Sequence, residues 1–150
     1  MGEFEEQIIV SASPDKVWDV LADIRNIYLW NPGVVRSRLT THGKVRVGTC
    51  RLCDLEGKNY LDEEVIEFEK PHRLTMRIND TNLPFKAAEI RYTVEPQGGK
   101  TLVRVSPKYQ LKFGLLGSIL DTIMVRSQYR KGMQELLRGL RNYVEQSVAN

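Results

Sequence analysis

Long apolar runs are missing from this sequence: no stretch approaches the roughly 20 apolar residues that a membrane-spanning helix needs, so stable insertion into a bilayer is not expected. Cysteine is scarce, with two in 150 residues, which leaves no disulfide framework and requires a core held by packing. The two histidines, His42 and His72, both fall in turn-like segments, and no serine stands in a nucleophile setting, so no catalytic triad is readable. Aromatic residues make up 8% of the chain and do not interleave with basic ones as a nucleic-acid platform requires, so no nucleic-acid partner is expected. The acidic stretch Met1 to Gln7 lacks an apolar signal region, and Glu6 stands where an acylation motif beginning Met-Gly needs Ser or Thr. A cytoplasmic protein is the expectation.

What is present is an ordinary globular balance, 41% hydrophobic and 27% charged, in a chain long enough for one domain over residues 1–150 with its own core. The net charge of +3 conceals an asymmetry. Residues 100–150 hold nine Lys and Arg against three acids, while residues 1–99 hold 13 against 16, so the two parts carry +6 and −3. A basic helix at the C-terminal end accounts for it, and such a helix suits a solvated face, an anionic ligand or an acidic surface.

Cys50 and Cys53 form a C-x-x-C on a segment that reads as a strand. A spacing of three there sends the two side chains to opposite faces, which prevents both chelation of one ion and closure of one disulfide. Adding His42 and His72 gives four potential zinc ligands, but their spacing matches no zinc module, and no metal or other cofactor is expected.

The chain begins with a strand in which Phe4, Ile8 and Val10 supply a mostly apolar face. Ser13-Pro14-Asp15 then gives an N-cap, a proline at the first helical position and an early acid. Val17, Trp18, Val20, Leu21 and Ile24 form the buried side of the short helix that follows, and one more helical turn ends at Trp30 before Asn31-Pro32-Gly33. From Val34 to Leu111 six short alternating segments are separated by turn residues, which predicts an antiparallel meander. Phe113 to Val148 reads as one long amphipathic helix, with apolar residues at Ile119, Leu120, Ile123, Met124, Met133, Leu136, Leu137, Leu140, Tyr143 and Val144. A polar interruption at Arg126, Ser127 and Gln128 places the first half of that helix on a cavity instead of a dry core. Gly132 and Gly139, two turns apart, mark a face able to approach another surface closely.

The expected order is therefore strand, two short helices, six strands and a long helix (β-α-α-β6-α), an α+β fold. Seven antiparallel strands twist too strongly to lie flat. The only element long enough to fill the concave side is the C-terminal helix, and the space left between helix and sheet is a natural ligand site.

Several stretches carry a family resemblance: the opening box VSASPDKVWDVLADIRNIYLWNPGV, Val47-Gly48, the acidic strand YLDEEVIEFEKPHRL, the hairpin Gly98-Gly99-Lys100-Thr101 and the ending LLRGLRNYVEQ. Together they resemble the SRPBCC superfamily, with its START-related, birch-pollen-allergen-like helix-grip fold, and within it the polyketide cyclase/dehydrase and lipid-transport branch. Pro14, Trp18, Asp23 and Trp30 stand where that family has similar residues. The resemblance implies a cavity for a lipid, polyketide, quinone, plant hormone or other hydrophobic or aromatic molecule. Some members cyclise or dehydrate a bound polyketide, others carry or sense a ligand, and others stimulate a chaperone's ATPase. No catalytic motif of the cyclases carries over residue by residue.

Strand parity gives provisional inward faces: Leu74, Met76 and Ile78; Ala88, Ile90, Tyr92 and Val94; Val103, Val105, Tyr109 and Leu111. The helix contributes Leu116, Leu120, Ile123, Met124 and Ser127, with Trp18 and Trp30 at one end and Phe85 beside the entrance. Polar candidates are Tyr60, Asp62 and Glu64 on one strand face, Arg51 on the strand before, and Arg126, expected inside the cavity with a ligand anion or an acid such as Glu64 as its partner. Asp62 and Glu64 would serve as general acid and base only if burial split their pKa values, whereas Glu63, Glu64, Glu67 and Glu69 read as an acidic stretch facing water and paired with Arg across strands. The resulting expectation is a binding or transport protein for a hydrophobic small molecule, with Trp30, Arg51, Tyr60, Met76, Phe85, Tyr92, Tyr109, Leu116, Leu120, Ile123, Met124, Arg126 and Ser127 lining the site. The alternatives are a cyclase or dehydratase acting in the same cavity and an interaction module using the basic helix.

Overall fold

The computed structural model describes residues 2–112 and 119–149, with side chains in the second stretch from residue 123 onward. Its elements follow the order β1 (Gly2–Glu3), β2 (Glu6–Val10), α1 (Pro14–Ala22), β3 (Arg36–Leu39), β4 (Cys50–Asp54), β5 (Tyr60–Glu69), β6 (Arg73–Thr81), β7 (Phe85–Gln97), β8 (Lys100–Leu111) and α2 (Ile119–Ala149), with short 3-10 helices at Ile24–Leu29 and Glu56–Lys58.

Ser13 caps α1 as its sequence predicts: the Oγ accepts a hydrogen bond from the Lys16 amide at 3.3 Å, and Pro14 opens the first turn. The turn after the 3-10 helix closes through Asn31, whose side chain accepts from the Gly33 amide at 3.0 Å. All the strands join one antiparallel sheet in the order β8-β7-β6-β5-β4-β3, with β1 and β2 both on the outer edge of β8. The expected single first strand is thus two strands. Opposite the break stands Pro107 of β8, whose carbonyl accepts from the Phe4 amide at 3.3 Å but which has no N–H to return, so the ladder is interrupted there.

β5 and β6 do not pair in simple alternation. Register shifts fall between Asp62 and Glu63 and between Val65 and Glu67, and another falls between Phe85 and Ala87 on β7. Such bulges bend strands and increase twist, which helps the sheet curl around α2. The bulge at Ile66 also brings Phe68 to the inner face, where its ring meets Trp18 edge-on at 5.4 Å. β6 runs to Thr81, which is buried and donates its hydroxyl to the Tyr60 carbonyl at 2.7 Å.

The packed half of α2 is the later one. Met133, Leu136, Leu137, Leu140 and Val144 are buried in one core with Val10, Val17, Trp18 and Leu21, and each such side chain contributes roughly 1.5–3 kcal/mol of burial free energy. Gly139 sits directly on the backbone of Trp30, where a Cβ would collide with the carbonyl oxygen, while Gly132 faces open space. Only Gly139 therefore plays the close-approach role expected of both. Among the described residues, no helix is long and apolar enough to cross a membrane.

Candidate functional site

The inner face of the sheet carries a buried ion pair. Arg51 of β4 and Glu63 of β5 are direct cross-strand partners, each 3% exposed, with Arg51 Nη2 donating to Glu63 Oε1 at 2.9 Å and Nε to the same oxygen at 3.3 Å. Arg51 Nη1 donates to the Ile24 carbonyl at 3.1 Å, tying the 3-10 helix to the sheet, and the Cys53 thiol donates to Glu63 Oε1 at 3.5 Å. Burial opposes the charge on Arg51, but the adjacent Glu63, with smaller contributions from Cys53 and Tyr92, more than restores it. The same burial, reinforced by Glu63 against the opposing pull of Arg51, pushes the Cys53 thiol up to about 12, and burial raises the Tyr92 phenol above its ordinary range. Cys53 is therefore a protonated, weakly nucleophilic thiol near neutral pH.

Beside the pair lies an internal cavity of about 10 Å³ walled by Leu21, Ile24, Ile27, Trp30, Arg51, Leu74, Met76 and Tyr92. The indole N–H of Trp30 is buried without a hydrogen-bond partner among the described residues. Beside the earlier half of α2 four aromatic rings pack together. Tyr129 meets Phe4, Phe85 and Tyr109 at centroid distances of 5.3, 5.2 and 5.4 Å, and Phe85 meets Tyr109 at 5.8 Å. Arg130 lies over the Phe4 ring at 4.8 Å and pairs with Glu6 at 2.6 Å. Among the described residues two larger depressions open on the surface: one of about 380 Å³ between Tyr28–Pro32 and the end of α2, and one of about 310 Å³ along β6–β8.

Of the residues singled out from the sequence, Trp30, Arg51, Met76 and Tyr92 come together around the cavity, and Phe85 and Tyr109 join the aromatic cluster. Tyr60 does not: it lies on the outer face with Asp62 and Glu64, its hydroxyl 3.0 Å from Asp80 Oδ2. Ile123 and Met124 are each 57% exposed, and Ser127 is exposed as well. Arg126 also points outward, donating to the Glu3 carbonyl at 3.2 Å. The reason is helical phase. Stepping back four residues from the inward Tyr129 reaches Val125, which is half-buried, so Arg126 falls one position round the helix. Leu116 and the side chain of Leu120 lie outside the described residues.

Glu63 was grouped with the solvent-facing acids, and the structure corrects this. Glu64 and Glu67 do face outward, pairing with Arg77 and with Arg73 and Arg91, but Glu63 is buried. The signal was available, since Glu63 stands two residues from both Leu61 and Val65 and shares their face. Tyr129 and Phe4 are not among the expected site residues either; the packing of α2 along β2 and the contacts of the Tyr129 ring with Phe4 and Tyr109 bring them in. Cys50 and Cys53 are both free, on a strand that leaves the first half-exposed and the second buried, as parity requires. Among the described residues, no group of three or more His, Cys, Asp or Glu is placed to hold a metal ion.

The fold has many counterparts. The Zhui aromatase/cyclase from Streptomyces sp. R1128 superposes with a TM-score of 0.85 at 15% identity, covering 98% of this chain and 95% of that one. The ginseng major latex-like protein 151 from Panax ginseng gives 0.78 at 16% identity over 95% and 96% of the two chains. A START superfamily protein from Mycobacterium smegmatis gives 0.77 at 17% identity over 96% and 97%. Identities this low speak for the fold alone. No curated protein matches the sequence significantly. The sequence model for polyketide cyclase / dehydrase and lipid transport matches residues 1–145, nearly the whole length, and the chain belongs to that family.

Proposed function

We propose that this protein binds or carries a hydrophobic small molecule, such as a lipid, polyketide, quinone or other aromatic, between the inner face of the sheet and α2. The observation that carries the reading is the Arg51–Glu63 pair set beside a cavity in an otherwise apolar interior. Replacing a buried ion pair by apolar residues of similar volume is often neutral or stabilising by about 1–4 kcal/mol, so packing alone gives little reason for the pair, whereas recognition of a polar group on a ligand does. A cavity of about 10 Å³ holds no more than a water-sized group, so it receives the polar end of a ligand whose body lies outside it.

A cyclase or dehydratase working in the same cavity is the second reading, favoured by the family's description and by the likeness to an aromatase/cyclase. Binding is preferred because the acid–base groups beside the cavity are already engaged: Glu63 accepts from Arg51 and Cys53, and the Cys53 thiol is held protonated. A cytoplasmic site of action belongs to the proposal and is supported by the two free thiols. Native mass spectrometry of the purified protein, followed by solvent extraction, tests the reading. An apolar molecule bound one to one and lost on Met76→Trp, which fills the cavity, is the expected result. Retention of the same mass by that variant would place the ligand elsewhere, and conversion of an added polyketide-like chain would favour the enzyme.

A further inference from the structure

We infer that the polar end of the cavity selects a neutral ligand presenting a carbonyl or similar hydrogen-bond acceptor, and discriminates against carboxylates and phosphates. This rests on the small-molecule-binding reading and specifies its ligand class. Two independent features of the cavity wall lead to it.

The first is charge. Among the described residues lining the cavity Arg51 is the only charged one, and Glu63, equally buried, already pairs with it. The site is therefore neutral as built. A carboxylate entering beside Arg51 would put two buried anions against one cation, and an uncompensated buried charge is among the most costly arrangements a protein interior can hold. A neutral acceptor incurs no such cost.

The second is an excess of donors. A guanidinium carries five N–H groups, and three of those on Arg51 are engaged: two by Glu63 Oε1 and one by the Ile24 carbonyl. The remaining two have no acceptor among the described residues. Trp30, which walls the same cavity, keeps its indole N–H buried and without a partner among the described residues. Buried donors are normally paired, and leaving them unpaired is costly. One ligand oxygen reached by Arg51 and Trp30 repairs the deficit, and an oxygen atom is the scale of group that a space of about 10 Å³ admits. The Cys53 thiol does not compete, because its S–H already donates to Glu63.

Three shape-matched probes separate the terms: 2-acetonaphthone, a ketone; 2-naphthoate, an anion; and 2-ethylnaphthalene, which has no acceptor. Calorimetry on the unaltered protein at neutral pH should give the ketone roughly tenfold tighter binding than either of the others, the scale of one net hydrogen bond to a charged donor. The Trp30 indole N–H resonance should move downfield with the ketone and stay in place with the hydrocarbon. Trp30→Phe should narrow the ketone's advantage over 2-ethylnaphthalene, read as the ratio of the two affinities within the variant. Glu63→Gln, where it folds, should shift preference toward 2-naphthoate by about tenfold, since Arg51 then lacks its neutralising partner. Equal or tighter binding of 2-naphthoate to the unaltered protein overturns the charge argument. Equal binding of ketone and hydrocarbon overturns the donor argument. Failure of all three probes to bind counts against the small-molecule reading itself, a result distinct from either.

Discussion

Glu63 and Arg51 hold each other in the interior. Removing the carboxylate alone, as in Glu63→Leu, strands a guanidinium that is 3% exposed, and losses from such breaks run to about 3–5 kcal/mol. Arg51→Met alone strands the carboxylate and also frees the Ile24 carbonyl. The double variant replaces both charges with apolar groups and should recover most of the loss. Urea denaturation of the four proteins measures the coupling, and single-variant losses that simply add in the double variant would show that the two side chains do not stabilise each other. The outward acids behave differently. Glu64 pairs with Arg77 at 3.3 Å on a surface where both are partly exposed, and its replacement should cost well under about 1 kcal/mol.

At the scale of elements, α2 is a helix of two halves. Its later half packs through Met133, Leu136, Leu137, Leu140 and Val144, while Ile123, Met124 and Arg126 in its earlier half face outward. The two glycines within it provide a controlled comparison. Gly139→Ala drives a methyl group against the Trp30 carbonyl, backbone that cannot simply rotate aside, and should destabilise by about 1–3 kcal/mol despite the better helix propensity of alanine. Gly132→Ala meets open space and should stabilise by up to about 1 kcal/mol. Thermal melts of the pair settle it: shifts of the same sign would mean that α2 does not rest on Trp30 as closely as described.

The whole molecule should lose stability in alkali, for a reason spread across its interior. Burial raises the Cys53 thiol from an ordinary 9.0 to about 12 and raises the phenols of Tyr92 and Tyr129 above their ordinary 10.0. Below about pH 9 the folded and unfolded chains both keep these protons, and the contribution to stability is complete. Above that, the unfolded chain releases protons that the folded one retains, so stability falls as pH rises toward about 12, with the tyrosines joining above about 10. Urea midpoints measured from pH 8 to about 10.5 should decline, and Cys53→Ala should weaken the decline below about pH 10. A flat profile would mean that these groups are not desolvated in the fold.

Much of this architecture was legible in the residues before any coordinates. Alternation, turn residues and the capping sequence at Ser13-Pro14-Asp15 set the order of elements, and the parity of β6, β7 and β8 set their inward faces, because side-chain direction along a strand or helix is a local property of the backbone. The C-x-x-C was separable by the same rule. Other features depended on partners distant in sequence. A proline in β8 divides the first strand, and a bulge at Ile66 shifts the parity of β5. Cross-strand register sets Glu63 against Arg51, and the phase of α2 on the sheet turns Val125 inward in place of Arg126. Sequence by itself determined which elements form and which of their faces are apolar, since both follow from local sterics and hydrophobic period. Only the tertiary structure decided which charge is buried, and against what, because a buried charge is tolerable only where a partner arrives from elsewhere in the chain.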